Sequence, residues 1–297
     1  MKPEQRAYLE LHIAVLLFGF TAILGDLIQL SAMVMVWWRM LLTSVSLLFL
    51  IRMGRQLRKM PRSLVLQFMG IGVLVAMHWV CFFGAIKLSN ASITLICMAT
   101  TSLFTAFLEP MLLRQRIKGI EIFLGAIIIP GMAMVVNSTG DDMLAGILVG
   151  LLSAFLASLF ATLNKKLVSK ADSMSITFLE LSSGWLFLTL LLPFFISSES
   201  VFMPSLADLG YLIILALLCT TLAYVLALRS LRHISAFASN LTVNLEPVYG
   251  IVLAWVLLNE HQELDPGFYR GVILILAAVF SYPLIRRWQR RRQRLQS

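Results

Sequence analysis

The sequence predicts an all-α integral membrane protein, ten transmembrane helices arranged as two inverted five-helix repeats. Three observations carry this prediction. Of 297 residues, 59% are apolar and only 13% charged, against roughly 45–50% and about 25% in soluble domains. Ten apolar stretches follow one another, each near the 20 or so residues that a helix needs to cross a bilayer. Basic residues fall into every second segment between them, as expected when alternate loops face the cytoplasm.

The spans are expected near 8–29, 32–52, 64–86, 91–113, 117–136, 144–168, 173–196, 206–229, 236–258 and 268–286. The first follows a segment that mixes Lys2 and Arg6 with Glu4 and Glu10 and has no small-residue cleavage site, so it should stay in the mature protein. The second carries Arg39 at depth and ends at the bases of residues 52–62. The third ends at Lys87, and the fourth at Arg114, Arg116 and Lys118. Asp141 and Asp142 divide the fifth from the sixth, which ends at Lys165, Lys166 and Lys170. The seventh and eighth flank Glu199 and Asp208, and the eighth ends at Arg229 and Arg232. The ninth stops before Glu260, Glu263 and Asp265, and the tenth runs into six arginines. These apolar runs are too broad for one-sided amphipathic helices and too long for barrel strands. A helical bundle is left, because backbone exposed to lipid must satisfy its own hydrogen bonds.

With the N-terminus in the cytoplasm, 21 of the 24 Lys and Arg lie on the inner side, only Lys87 and Arg270 lie outside, and Arg39 sits within a span. Both termini are therefore expected in the cytoplasm of a cell-membrane, multi-pass protein. One missed or invented helix would scramble this alternation. The arginines of residues 286–294 could be read as a nucleic-acid arm, but bases just beyond a final span, with Trp288 among them, fit an anchor to anionic headgroups better. No nucleic-acid partner is expected. Cys81, Cys97 and Cys219 lie in apolar stretches, form no C-x-x-C pair and indicate neither a disulfide framework nor a metal site.

Sliding the chain by 145 residues sets the Lys87 turn against the turn at Arg232 and places Tyr224 opposite Trp79. Five spans fall in each half, and because five is odd the halves must be inverted, as in many transporters. The expected repeats are residues 1–139 and 140–297. The tripeptide Leu108-Glu109-Pro110 recurs as Leu245-Glu246-Pro247, a shift of 137, but that register would set the Lys87 turn inside a helix and is treated as coincidence.

Further features are specific: Arg39 within Val36-Trp-Trp-Arg-Met-Leu41, the run Ala227-Leu-Arg-Ser-Leu-Arg-His-Ile-Ser-Ala236, and Asn244-Leu-Glu-Pro-Val-Tyr-Gly250 leading to Glu260. With these and its ten short-looped spans, the sequence resembles the EamA-type branch of the drug/metabolite transporter superfamily over essentially its full length. The resemblance implies a basket-like bundle around a central pocket that moves a small metabolite, such as an amino acid, by alternating access. Ser102 stands where Pro247 stands in the second half, a departure that implies unequal motion of the halves.

An ionisable side chain at membrane depth is a functional candidate by default, and there are four: Arg39, Glu109, Glu180 and Glu246. Arg39 suits a substrate carboxylate; its alternatives are an ion pair or helix-end carbonyls. Glu180 is its obvious partner, although their depths differ by about 10 Å at 1.5 Å per residue. Glu246 beside the helix-breaking Pro247 is the candidate for coupling or gating, by proton or cation. Glu109, close to Arg114, is expected to snorkel to the interface. His78, Trp79, Asn164, Tyr224, Asn244 and Tyr249 are candidate cavity residues, with ordinary packing as the alternative. The small-residue face from Gly146 and Gly150 along the sixth span suits close internal helix packing, and the protein is expected to work as a monomer.

Catalytic motifs are missing from the sequence: there is no H-E-x-x-H, G-x-S-x-G or G-x-x-x-x-G-K-[ST]. No catalytic residue, metal or cofactor is expected, and the solute and the lipid bilayer are the expected partners. The leading expectation is a secondary transporter, an exporter, with a pocket lined by spans 1, 3, 4, 6, 8 and 9. The alternatives are an intramembrane enzyme or lipid-modifying protein working through Glu246 or His78 and, less well supported, a channel, for which no ring of filter groups is present.

Overall fold

The computed structural model describes residues 3–50, 60–117, 119–138, 140–195, 201–243, 245–257, 266–277, 281 and 285. Within them the chain forms helices joined by short turns. In order these are α1 (Pro3–Leu27), α2 (Ala32–Leu50), α3 (Arg62–Leu88), α4 (Ala91–Met98), α5 (Thr101–Leu113), α6 (Gly119–Asn137), α7 (Leu144–Leu167), α8 (Ser173–Phe195) and α9 (Leu206–Ala216). A π-helical stretch, Leu217–Leu222, joins α9 to α10 (Ala223–Leu231); α11 (Ala236–Val243), α12 (Glu246–Leu257) and α13 (Pro266–Ala277) follow. Eight of the resulting segments are long and apolar enough to cross a membrane, and shorter apolar helices cover Gly125–Val135 and Pro266–Ala277. The expected span order is thus matched at eight places, with shorter apolar helices at the fifth and tenth. The basic tail of residues 286–297 lies outside the described residues.

Apolar side chains such as Phe49, Leu190 and Phe194 point outward around the bundle, as a surface bathed in lipid allows. Inside, α3 packs along α7 and α8. Glycine makes the α3–α8 crossing possible: a Cβ on Gly72 would lie 2.0 Å from the Glu180 carbonyl oxygen. The Gly146 face is used the same way, since a Cβ there would lie 2.6 Å from Ser89 Cβ. In these residues the G-x-x-x-G face therefore packs internally.

In both halves a span is broken. Helices α4 and α11 begin 145 residues apart and each runs for 8 residues. In the first half the break at residues 99–100 has no proline: Ala99 N–H donates to Ile96 O and Thr100 N–H to Cys97 O, while the Thr100 hydroxyl also fills Cys97 O at 2.7 Å. The expected inequality between Ser102 and Pro247 therefore does not extend to the break itself. Nor does Pro247 kink a continuous helix. Glu246 opens α12 and Pro247 sits in its first turn, where a missing N–H costs nothing.

The two ends of the bundle are tied differently. At the end reached by the C-terminus of α1, Lys87 Nζ donates to Asp26 O (3.2 Å) and Ile28 O (2.8 Å), and Gln29 N–H donates to Asp208 Oδ1 (2.9 Å). At the opposite end Glu10 Oε1 joins Arg6 (2.9 Å) and Arg229 (3.3 Å), and Arg232 donates to Ala171 O. Glu109 corrects the expectation of snorkelling. It is 4% exposed and accepts from Ala236 N–H (3.2 Å) and Phe237 N–H (2.7 Å), so it caps the N-terminus of α11, where a carboxylate is favoured by the helix dipole.

Candidate functional site

The apolar bundle encloses a cavity of about 120 Å³, small beside the 300–1,000 Å³ or so of pockets that take drug-sized ligands. It is lined from α1, α2, α3, α4, α5, α7, α10, α11 and α12. In terms of the expected spans these are 1, 3, 4, 6, 8 and 9, with span 2 added through Arg39.

Arg39 is the cationic pole. It is 1% exposed, its Cζ lies 3.8 Å from the centroid of the Trp79 ring and 5.4 Å from that of Phe83, and its Nε donates to Thr220 Oγ1 at 2.6 Å. A desolvated stack of this kind is worth roughly 2 kcal/mol, so the guanidinium plane is fixed while Nη1 has no hydrogen-bond partner. Its anchor is unusual. Thr220 Oγ1 donates to Leu215 O at 2.7 Å and Thr221 Oγ1 to Ala216 O at 2.9 Å, so hydroxyls fill carbonyls five residues back in the π stretch. Thr43 Oγ1 of α2 adds a bond to Ala216 O (3.2 Å), and Ser46 Oγ meets Thr221 Oγ1 (3.0 Å). Positions 39, 43 and 46 share one face of α2, and that face stitches the π stretch down. Single-turn π insertions recur at functional sites.

Glu246 also lines the cavity and lies within electrostatic reach of Arg39. Glu180 stands apart. It is fully buried; its Oε2 accepts from Tyr224 OH (2.6 Å) and from Asn164 Nδ2 (3.3 Å), and its Oε1 has no partner. Among the described residues Arg39 and Glu180 form no ion pair. Asn164 and Tyr224 reach the cavity, with Glu180 one hydrogen bond behind them.

Trp79 and Tyr224 meet edge to face with centroids 6.3 Å apart, an arrangement the ring quadrupoles favour. Phe160 packs beside Tyr224 and His78, at 6.5 and 5.3 Å. His78 Nδ1 lies 2.9 Å from Ser153 O and 2.8 Å from Ser153 Oγ, whose hydroxyl also donates to His78 O at 3.0 Å.

The remaining sequence candidates fall elsewhere. Tyr249 is 40% exposed, does not line the cavity, and packs its Cβ against Gly19 of α1. Asn244 lies outside the described residues, and of Pro247 only the backbone is described. Sequence reasoning passed over Thr21, Thr101, Phe160 and Asn240, all cavity-lining. A signal existed for two of them: Thr101 is the 145-residue counterpart of Glu246, and Phe160 precedes Asn164 by one helical turn. Asn240 donates to Thr105 Oγ1 at 2.7 Å, a cross-half bond with no sequence signature. No group of three or more His, Cys, Asp or Glu suited to a metal ion occurs among the described residues.

The model of the EamA-like transporter family matches residues 5–137 and again 144–282. The chain belongs to the EamA-like transporter family. Among its relatives is the uncharacterized transporter YxxF of Bacillus subtilis (strain 168), 23% identical over 96% of this chain and 92% of that protein. The uncharacterized transporter YetK of the same organism is 25% identical over 94% of this chain and 87% of its own length. A solved crystal structure superposes with a TM-score of 0.70 at 14% identity, over 98% of this chain and 99% of that one, which shows a shared fold. This EamA-family chain is a multi-pass membrane protein of a transporter family.

Proposed function

We propose that this EamA-family protein is a secondary transporter of the cell membrane that exports a small metabolite or amino acid by alternating access. Its ten spans form two inverted repeats, residues 1–139 and 140–297, with both termini in the cytoplasm, and it works as a monomer without cofactor. The observation that carries the reading is the cavity itself: Arg39, Glu246 and the Glu180 cluster lie buried between tied ends of the bundle. Buried charge at this depth costs several kcal/mol per group, a cost that a purely structural bundle has no reason to bear three times. Arg39 Nη1 receives an anionic group of the solute, and Trp79, Tyr224 and Phe160 flank its apolar part.

The test is flux in sealed proteoliposomes loaded with a metabolite mixture. Loss of a solute from the lumen, chemically unchanged, supports transport; a modified product in place of flux refutes it. Coupling to protons is assigned to Glu246, the only cavity carboxylate at a helix start among the described residues. Glu246→Gln should abolish pH-driven flux while leaving exchange of solute across the membrane; undiminished pH-driven flux removes Glu246 from the mechanism.

A further inference from the structure

Counting charges at membrane depth leaves one without a counterpart. Glu109 is answered by two backbone N–H groups and by Lys165, within electrostatic reach. Arg39 and Glu246 line the cavity within electrostatic reach of each other. Glu180 has hydrogen bonds but no cation: its salt-bridge partner is missing among the described residues and its Oε1 is unpartnered. A buried charge is ordinarily paired.

The hydrogen bonds around Glu180 also fix what faces the cavity. Tyr224 gives its only proton to Glu180 Oε2, and Asn164 gives Nδ2–H to the same oxygen and to Tyr224 OH (3.4 Å). Both side chains are thereby turned so that oxygens are left over. Asn164 Oδ1, on a residue 1% exposed that lines the cavity, has no donor. This pole can accept hydrogen bonds and offers none. Phe160 and Tyr224 line the cavity as well, and an aromatic face attracts a cation.

We propose that Asn164, Tyr224 and Glu180 form a subsite for an ammonium group of the solute in the cavity wall. The ammonium protons meet Asn164 Oδ1 and the Tyr224 oxygen, and Glu180 supplies the balancing charge from behind. The inference rests on the transporter reading for its purpose but not for its test. A solute that is a simple amine and one that also carries a carboxylate for Arg39 share this chemistry.

The purified full chain in detergent is titrated with a series of primary amines from ethylamine to phenethylamine, with carboxylates of matching length, and with phenylalanine, reading thermal stabilisation, which reports binding to the folded state. Amines should bind and matched carboxylates should bind at least tenfold more weakly. Glu180→Gln should weaken amine binding at least tenfold, Tyr224→Phe should weaken it less, and Tyr249→Phe, outside the cavity, should leave it within threefold. Should Glu180→Gln fail to fold, Asn164→Leu takes its place with the same expected loss. Tighter binding of phenylalanine than of phenethylamine, removed by Arg39→Gln, identifies a zwitterion; equal binding identifies a simple amine. Carboxylate preference, no amine binding across the series, or a loss in Tyr249→Phe matching that in Glu180→Gln overturns the subsite. Binding without flux in proteoliposomes refutes transport and leaves the subsite standing, whereas flux of another solute with no amine binding does the reverse.

Discussion

Arg39 illustrates how one side chain is made specific. Stacking on Trp79 and the bond from Nε to Thr220 leave Nη1 free, so the guanidinium acts as a directed donor. Lysine has the charge but neither the plane nor the fork. Thr220→Val should remove a hydrogen bond to a charged group, worth about 1.5–3 kcal/mol, and weaken binding of a carboxylate-bearing solute about tenfold or more. Thr220→Ser should restore it. Equal loss in both variants, read by calorimetry, would place the effect in packing of the π stretch. One pair was legible in the sequence: the 145-residue shift sets Trp79 against Tyr224, and the two rings meet edge to face. Glu109 was not legible. Its partners are backbone N–H groups 127 and 128 residues away, and every residue but proline owns such a group.

At the level of elements, hydropathy located eight of the ten expected spans and said little of their interiors. The π stretch Leu217–Leu222 reads as ordinary apolar helix, and only Thr220 and Thr221 hint that hydroxyls are available to fill its carbonyls. The break at residues 99–100 is equally silent: no proline marks it, and the Thr100 hydroxyl fills the Cys97 carbonyl there. Close crossings are written more plainly, as glycine. At Gly72 a methyl group would sit within 2.0 Å of the Glu180 carbonyl, an atom that cannot move without carrying α8. Gly72→Ala should therefore cost at least the roughly 3 kcal/mol at the upper end of ordinary overpacking and lower the unfolding temperature by several degrees. Gly70→Ala, two residues away with open space at its Cβ position, should have no such effect. A matching fall in both would mean that helix α3 dislikes substitution generally and that the crossing is not the constraint.

For the whole molecule, the charge pattern and the ties at the two ends bear on the same question, which side the cavity opens to. Lys87 and Asp208 fasten the α1–α2 connection at one end; Glu10, held by Arg6 and Arg229, fastens α1 to α10 at the other. The 145-residue shift pairs Lys87 with Arg232, and each donates to a carbonyl in the turn after a long helix, Ile28 after α1 and Ala171 after α7. If alternating access operates, these ties break in turn, and weakening one should favour opening at that end alone. An ion pair this exposed contributes up to about 1 kcal/mol, enough for roughly a fivefold shift between two states. With Cys81, Cys97 and Cys219 replaced and a single cysteine placed in the cavity wall by Ala227→Cys, an impermeant thiol reagent reports access from each side of the membrane. Glu10→Gln should speed labelling from the side of the N-terminus several-fold, and Lys87→Gln from the opposite side. Acceleration from both sides by either variant would mean loosening of the bundle in place of gating, and no acceleration by either would leave the two ties as fastenings with no part in transport.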